Sequence, residues 1–187
     1  MENRKVLLVE DTDIHADISK FANDVSVTRV KTLVEAVREL YGVKDSGYLD
    51  RSILNPKGYH ALLTDMNFPM GRGKFGGNSV PDVFYNSGDN TDAPQLLGWP
   101  LIMIGAQAKV PYIGMITDTN HHKGVMAATF DVLNQRKMSL DQSVVCIWDM
   151  RSWVSDPKNG SISFRASDQE KTKQYHNLLA YLESELK

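Results

Sequence analysis

A chain of 187 residues and 21.0 kDa can bury roughly 70% of its unfolded surface on folding, so a full core needs no metal or disulfide staples. Hydrophobic residues at 42% and charged residues at 24% exclude a disordered polypeptide. Lys+Arg 21 against Asp+Glu 23 gives a net charge of -2, which excludes a global attraction to nucleic acid or to an acidic membrane. No apolar run approaches the roughly 20 residues of a membrane-crossing helix. The start passes from MENRK into a short apolar run, too short for a secretory leader, so a cytoplasmic location is expected. The single cysteine, Cys146, sits within an apolar run and reads as a buried thiol.

The first apolar run, KVLLV at 5–9, is nearly continuous and ends in Glu10 and Asp11. Such a run suits a strand covered on both faces. Ile14, Ile18 and Phe21 then fall on one face of a predicted helix over 12–24. VSVTRV (25–30) predicts a strand. The next segment, 32–42, predicts a helix with Leu33, Val37, Leu40 and Tyr41 on one face and Gly42 as C-cap.

Residues 43–58 read as a polar loop, and HALLTDM (60–66) as the third strand, again ending in an acid. The stretch 67–98, with GRGKFGG and YNSGDNTDAP, is rich in Gly, Pro, Asn and Asp and predicts a long irregular insertion. Its glycines and two cations lack the spacing of a phosphate-binding loop. LIMIGAQAKV (101–110) predicts a buried helix and YIGMIT (112–117) a fourth strand. A helix over 123–135 and a fifth strand, SVVCIWD (143–149), follow. Residues 150–166 form a third insertion with a small hairpin around Asn159-Gly160. The final helix opens with a capping box between Ser167 and Glu170 and carries Tyr175, Leu178, Leu179, Leu182 and Leu186 on one face.

Five strands alternating with five helices predict an α/β fold: a doubly wound, five-stranded parallel sheet with helices on both faces, in one domain spanning 1–187. Functional groups gather beyond the carboxyl ends of such strands. Glu10 and Asp11, Asp65, Thr117 with Asp118, and Asp149 all stand at those ends. Crowded carboxylates repel one another, and a hard cation such as Mg²⁺ removes that penalty through oxygen ligands.

VLLVEDTDIH, LLTDMNFP and GMIT resemble the signature blocks of response-regulator receiver domains. The resemblance covers Lys5 to about Asp149 and the last helix, and skips the insertions near 43–58, 67–98 and 150–166. It implies a receiver (flavodoxin-like) topology and a Mg²⁺ site on Glu10, Asp11, Asp65 and the backbone carbonyl of Asn67. It implies that Asp65 accepts a phosphoryl group from a histidine kinase or phosphotransfer protein. Pro69 matches the family's proline, Thr117 its phosphoryl-binding hydroxyl, and Gly98 to Leu101 the opening of its third helix. A downstream protein partner would read the modified state, with no membrane or direct nucleic-acid contact. Pairing of two copies through the last helices, common in the family, is compatible with the resemblance.

The chain departs from the family beyond the fifth strand. Receivers carry a lysine there, whereas this sequence has Trp148, Asp149 and Met150, with Arg151 as the nearest substitute. Asp118 stands where the family prefers a small residue. Two other functions therefore compete. One is a pseudo-receiver that binds a protein without phosphotransfer. The other is a Mg²⁺-dependent phosphohydrolase, which would want a second carboxylate where Asn67 stands. Outside these blocks, His121 and His122 read as exposed loop residues and His15 as part of a surface helix. Trp148, next to the rim, is the tryptophan placed to sense the site.

Overall fold

The computed structural model describes residues 3–42, 56–71, 74–75, 78–79, 94–117, 132–150, 153–155, 163–167 and 172–184. Along the chain run β1 (Arg4–Val9), β2 (Val25–Val30), α1 (Leu33–Tyr41), β3 (Ala61–Asp65), β4 (Asn67–Pro69), β5 (Lys74–Phe75), β6 (Asn78–Ser79) and β7 (Pro94–Leu96). They are followed by α2 (Gly98–Gln107), β8 (Tyr112–Thr117), β9 (Lys137–Leu140), β10 (Ser143–Asp149), β11 (Trp153–Ser155), β12 (Ser163–Arg165) and α3 (Tyr175–Ser184).

The five predicted strands all lie in one sheet, whose order is β2-β1-β3-β8-β10-β9. The pairs β2–β1, β1–β3, β3–β8 and β8–β10 are parallel. The expected five-stranded, wholly parallel sheet is corrected by β9, a sixth strand antiparallel to β10. It returns into β10 through a turn with Asp141 in the left-handed region at φ 54. Edge strands bury less than central ones, so KMSL needed no continuous apolar run and gave no strand signal.

Strand side chains alternate between faces, and both faces here are covered. Leu7, Val9, Leu62, Ile113, Met115, Val145 and Ile147 pack in a core that includes α1 and α2. Val6, Leu8, Ala61, Leu63, Ile116, Cys146 and Trp148 pack in the core beneath α3. Cys146 is a buried free thiol, as its apolar run predicted.

α1 follows its sequence closely. Thr32 and Glu35 form a reciprocal capping box, and Gly42 closes the helix in the left-handed region. The helix predicted over 12–24 does not form. Two 3-10 turns, Asp13–His15 and Ile18–Lys20, replace it. Asp17 Oδ1 accepts hydrogen bonds from the Ser19 amide and hydroxyl, a local pattern that competes with helical pairing. Ile18, assigned to the buried face, is exposed.

The stretch 67–98 is more regular than its composition suggested. β4 pairs with β7 and β5 with β6, each antiparallel. α2 begins at Gly98, three residues earlier than the apolar pattern implied. β11 and β12 form the predicted hairpin. α3 starts at Tyr175, and Ser167 donates its hydroxyl to the Met150 carbonyl rather than capping a helix. The helix expected over 123–135, apart from 132–135, lies outside the described residues, as does the turn at 159–160.

Gly98 matters because α2 enters against the end of β3. Its amide donates to the Met66 carbonyl at 3.0 Å. A Cβ there would lie 2.5 Å from Met115 Sδ and 2.9 Å from both the Asp65 carbonyl oxygen and Met66 Cα. The sulfur can move, whereas the two backbone atoms cannot without shifting β3. Gly98→Ala should therefore destabilise the protein by about 1–3 kcal/mol, read as a lower urea midpoint at unchanged slope.

Candidate acidic metal and phosphoryl site

β1, β3 and β8 are consecutive neighbours, so their carboxyl ends form one rim. Glu10 and Asp11 leave β1 there, Asp65 closes β3 and Thr117 closes β8. Oxygens of Glu10, Asp11 and Asp65 lie within 4.8 Å of one another. Glu10 is fully buried, Asp65 and Thr117 are buried, and Asp11 is half-buried.

The counter-ion is Lys173. Its Nζ lies 2.9 Å from Glu10 Oε2 and 2.7 Å from Asp65 Oδ2, with no exposed side chain. No lysine stands directly after β10, where the receiver resemblance places one. The β11–β12 hairpin separates β10 from Lys173, and the chain then returns to the rim. The Lys173 amide donates to the His15 carbonyl at 3.1 Å, and the Gln174 amide donates to the Ala166 carbonyl at 2.8 Å. Lys173 also makes backbone bridges to Ala16 and to Ser167. The irregular segment that replaced the first predicted helix thus helps hold the lysine.

A readable signal did exist. Lys173 precedes Tyr175 by two residues, which in an extended entry puts both on one side. Tyr175 is the first buried residue of α3, and its hydroxyl donates to Glu10 Oε2 at 2.9 Å. Glu10 Oε1 accepts from the Thr12 amide at 3.1 Å. His15 Nδ1 lies 3.7 Å from the same oxygen, so the histidine stands beside the acids rather than on a surface helix.

Burial pushes the Asp65 carboxyl up to about 7, with Glu10 adding to the rise; Lys173 and the Met66 amide oppose it. Burial also works against the Lys173 ammonium, but the charges of Asp65 and then Glu10 outweigh it and hold its pKa above the usual value. The ammonium is therefore the fixed charge and Asp65 the group that titrates.

Asp149 lies at the end of β10, in register with Thr117, and is not one of the three converging acids. Its amide donates to Asn134 Oδ1. Asn67 opens β4 opposite Leu96. Trp148 is fully buried, its ring 5.4 Å from that of Tyr181, so it belongs to the core beneath α3. Asp118, His121, His122 and Arg151 lie outside the described residues. Among the described residues, no helix is long and apolar enough to cross a membrane.

Three hard oxygen donors this close suit a divalent cation, since opposed ligands on Mg²⁺ stand about 4.2 Å apart and those on Ca²⁺ about 5 Å. The cluster is therefore capable of holding such an ion. It is a small α/β architecture with an acidic centre reminiscent of receiver chemistry. No protein-family model, curated protein or solved structure matches the chain.

Two outcomes follow from these charges. Between the ordinary carboxyl pKa of 3.8 and about 7, folded Asp65 keeps a proton that the unfolded chain has lost. Stability should therefore fall as pH rises through that window, by an amount of order 2–4 kcal/mol. Asp65→Asn should flatten this dependence and exceed the wild type in stability at pH near 8, checked by urea melts across pH. Lys173→Met should cost about 3–5 kcal/mol, because two buried acids lose their shared cation.

Proposed function

We propose that this chain is a receiver-like phosphoacceptor whose Asp65 takes a phosphoryl group in a Mg²⁺-assisted reaction and thereby regulates a protein partner. The observation that carries the reading is the Lys173 ammonium 2.7 Å from Asp65 Oδ2. It supplies the cation that the sequence after the fifth strand lacks.

Each residue has a role consistent with its position. The Asp65 carboxylate attacks phosphorus, forming an O–P bond while the bond to the donor's leaving group breaks. Met66 holds the other oxygen of Asp65 through its amide at 2.6 Å, which fixes the attacking geometry. Lys173 then exchanges its bond to Asp65 for one to the phosphoryl oxygens. Thr117, at the neighbouring strand end, offers its hydroxyl to the same group. Glu10, Asp11 and the Asn67 carbonyl would hold the cation, which when bound screens the negative charge of both reactants. The donor would be a histidine kinase, a phosphotransfer protein or a small acyl phosphate. The product adds roughly 1.5–2 negative charges at a buried rim, enough to repack what surrounds it.

One feature favours the pseudo-receiver as a second reading. Glu10 has no exposure, and its carboxylate already accepts from Thr12, Lys173 and Tyr175. A centre neutralised this well from within can stand as a permanent structural element beneath a protein-binding surface.

Incubation with acetyl phosphate and Mg²⁺, followed by intact mass, separates the two. The phosphoacceptor reading expects one phosphoryl adduct, absent in Asp65→Asn and formed about 10²-fold more slowly in Lys173→Ala. An unmodified wild-type chain at saturating donor and Mg²⁺ ends that reading in favour of the second.

A further inference from the structure

Lys173, Asp65 and Glu10 form a set that can do more than balance charge. The side chains of Lys173 and Glu10 have no exposure, and that of Asp65 is 7% exposed. Lys173 Nζ lies 2.7 Å from Asp65 Oδ2. The carboxyl carbon is one bond beyond that oxygen, so Nζ stands within about 4 Å of it, close to the roughly 3–3.5 Å of a reactive approach. On its other side Nζ donates to Glu10 Oε2 at 2.9 Å, a group able to take a proton from it. The remaining Asp65 oxygen, Oδ1, accepts from the Met66 amide at 2.6 Å. Negative charge gathers on that oxygen when an amine adds to the carboxyl carbon, and a backbone donor already points at it. An amine, a carboxyl carbon, a base and an oxyanion donor thus meet where bulk water does not reach.

We propose that Lys173 and Asp65 condense to an internal amide, a self-made covalent brace between the end of β3 and the entry to α3. The proposal goes beyond the phosphoacceptor reading and does not rest on it, since the two reactions compete for one carboxyl.

The resting set is an ion pair. Burial disfavours the charged forms, so a proton can pass along the hydrogen bond from Nζ to Oδ2 and leave a neutral amine beside a neutral acid. The nitrogen lone pair then attacks Cγ, a C–N bond forms, and the carbonyl electrons move to Oδ1. Glu10 takes a proton from the nitrogen and hands it to the Oδ2 hydroxyl. The Cγ–Oδ2 bond breaks, water leaves, and the carbonyl is restored at Oδ1. No outside reagent is consumed, Glu10 ends as it began, and the new amide N–H keeps Glu10 as its acceptor. The brace closes a loop over residues 65–173 and restricts the unfolded chain as other internal cross-links do.

The test is the intact mass of the purified full chain under denaturing conditions, before and after prolonged warm incubation, with a peptide map of the product. The wild type should become one water lighter than its sequence, and the map should show a branched peptide joining Lys173 to Asp65. Lys173→Arg keeps the positive charge but offers no amine, so it should stay at full mass. Glu10→Gln should lose water about 10²-fold more slowly, the scale of a missing general base.

A wild type that stays at full mass overturns the brace. So does a loss of water that maps anywhere other than Lys173 and Asp65. Acetyl phosphate and Mg²⁺ added to the same samples read the competing fate. A phosphoryl adduct without any loss of water overturns the brace and leaves the phosphoacceptor reading standing. Complete loss of water with the branched peptide and no adduct supports the brace and ends the phosphoacceptor reading. Should Lys173→Arg fail to fold, the branched peptide of the wild type decides alone.

Discussion

One ammonium group between two buried carboxylates is the constraint on which this architecture turns. Glu10 and Asp65 end neighbouring strands of a dry sheet, where like charges are costly. Lys173 reaches both acids and makes their burial tolerable. Removing the cation from such a set costs far more than the set contributes as a whole, because the desolvated carboxylates left behind have nowhere to go. The centre is best understood as an arrangement that fixes geometry, with stability supplied by the apolar layers on either side of the sheet.

Those layers were legible because their physics is local. A strand buried on both faces must be apolar at nearly every position, and KVLLV, HALLTDM, YIGMIT and SVVCIWD announce themselves. The convergence of Glu10, Asp11 and Asp65 followed from acids closing strands that prove to be adjacent. α1 was legible in its apolar face and in Gly42, which closes it, whereas the reciprocal capping box of Thr32 and Glu35 was not singled out. β9 was not, because an edge strand need bury only part of itself. The segment after β1 misled because three apolar residues at helical spacing coexist with Asp17 and Ser19, which bond locally. Lys173 was hidden by an insertion: the topology puts it beside Asp65, but a hairpin intervenes in the sequence.

The insertions also have a structural logic. The β4–β7 ribbon carries the chain from Asp65 out and back to Gly98, whose amide returns to Met66. The β11–β12 hairpin carries it from Asp149 out and back to Ala166, which receives the Gln174 amide. Both excursions leave the rim and rejoin it within a few residues of a buried polar side chain. Each excursion is closed by a backbone hydrogen bond, Gly98 to Met66 and Gln174 to Ala166.

The clamp on Lys173 has a consequence for how the chain folds. Its amide pairs with His15 and its side chain with Glu10, and the second of these contacts spans 163 residues of sequence. Contacts so distant along the chain form slowly. Until this one closes, the acids at the strand ends have no shared counter-ion, so the sheet cannot bury them cheaply. The segment that brings the ammonium also carries Leu178 and Leu182 into the core. Charge compensation and closure of the second apolar layer are thereby joined in one late step of folding.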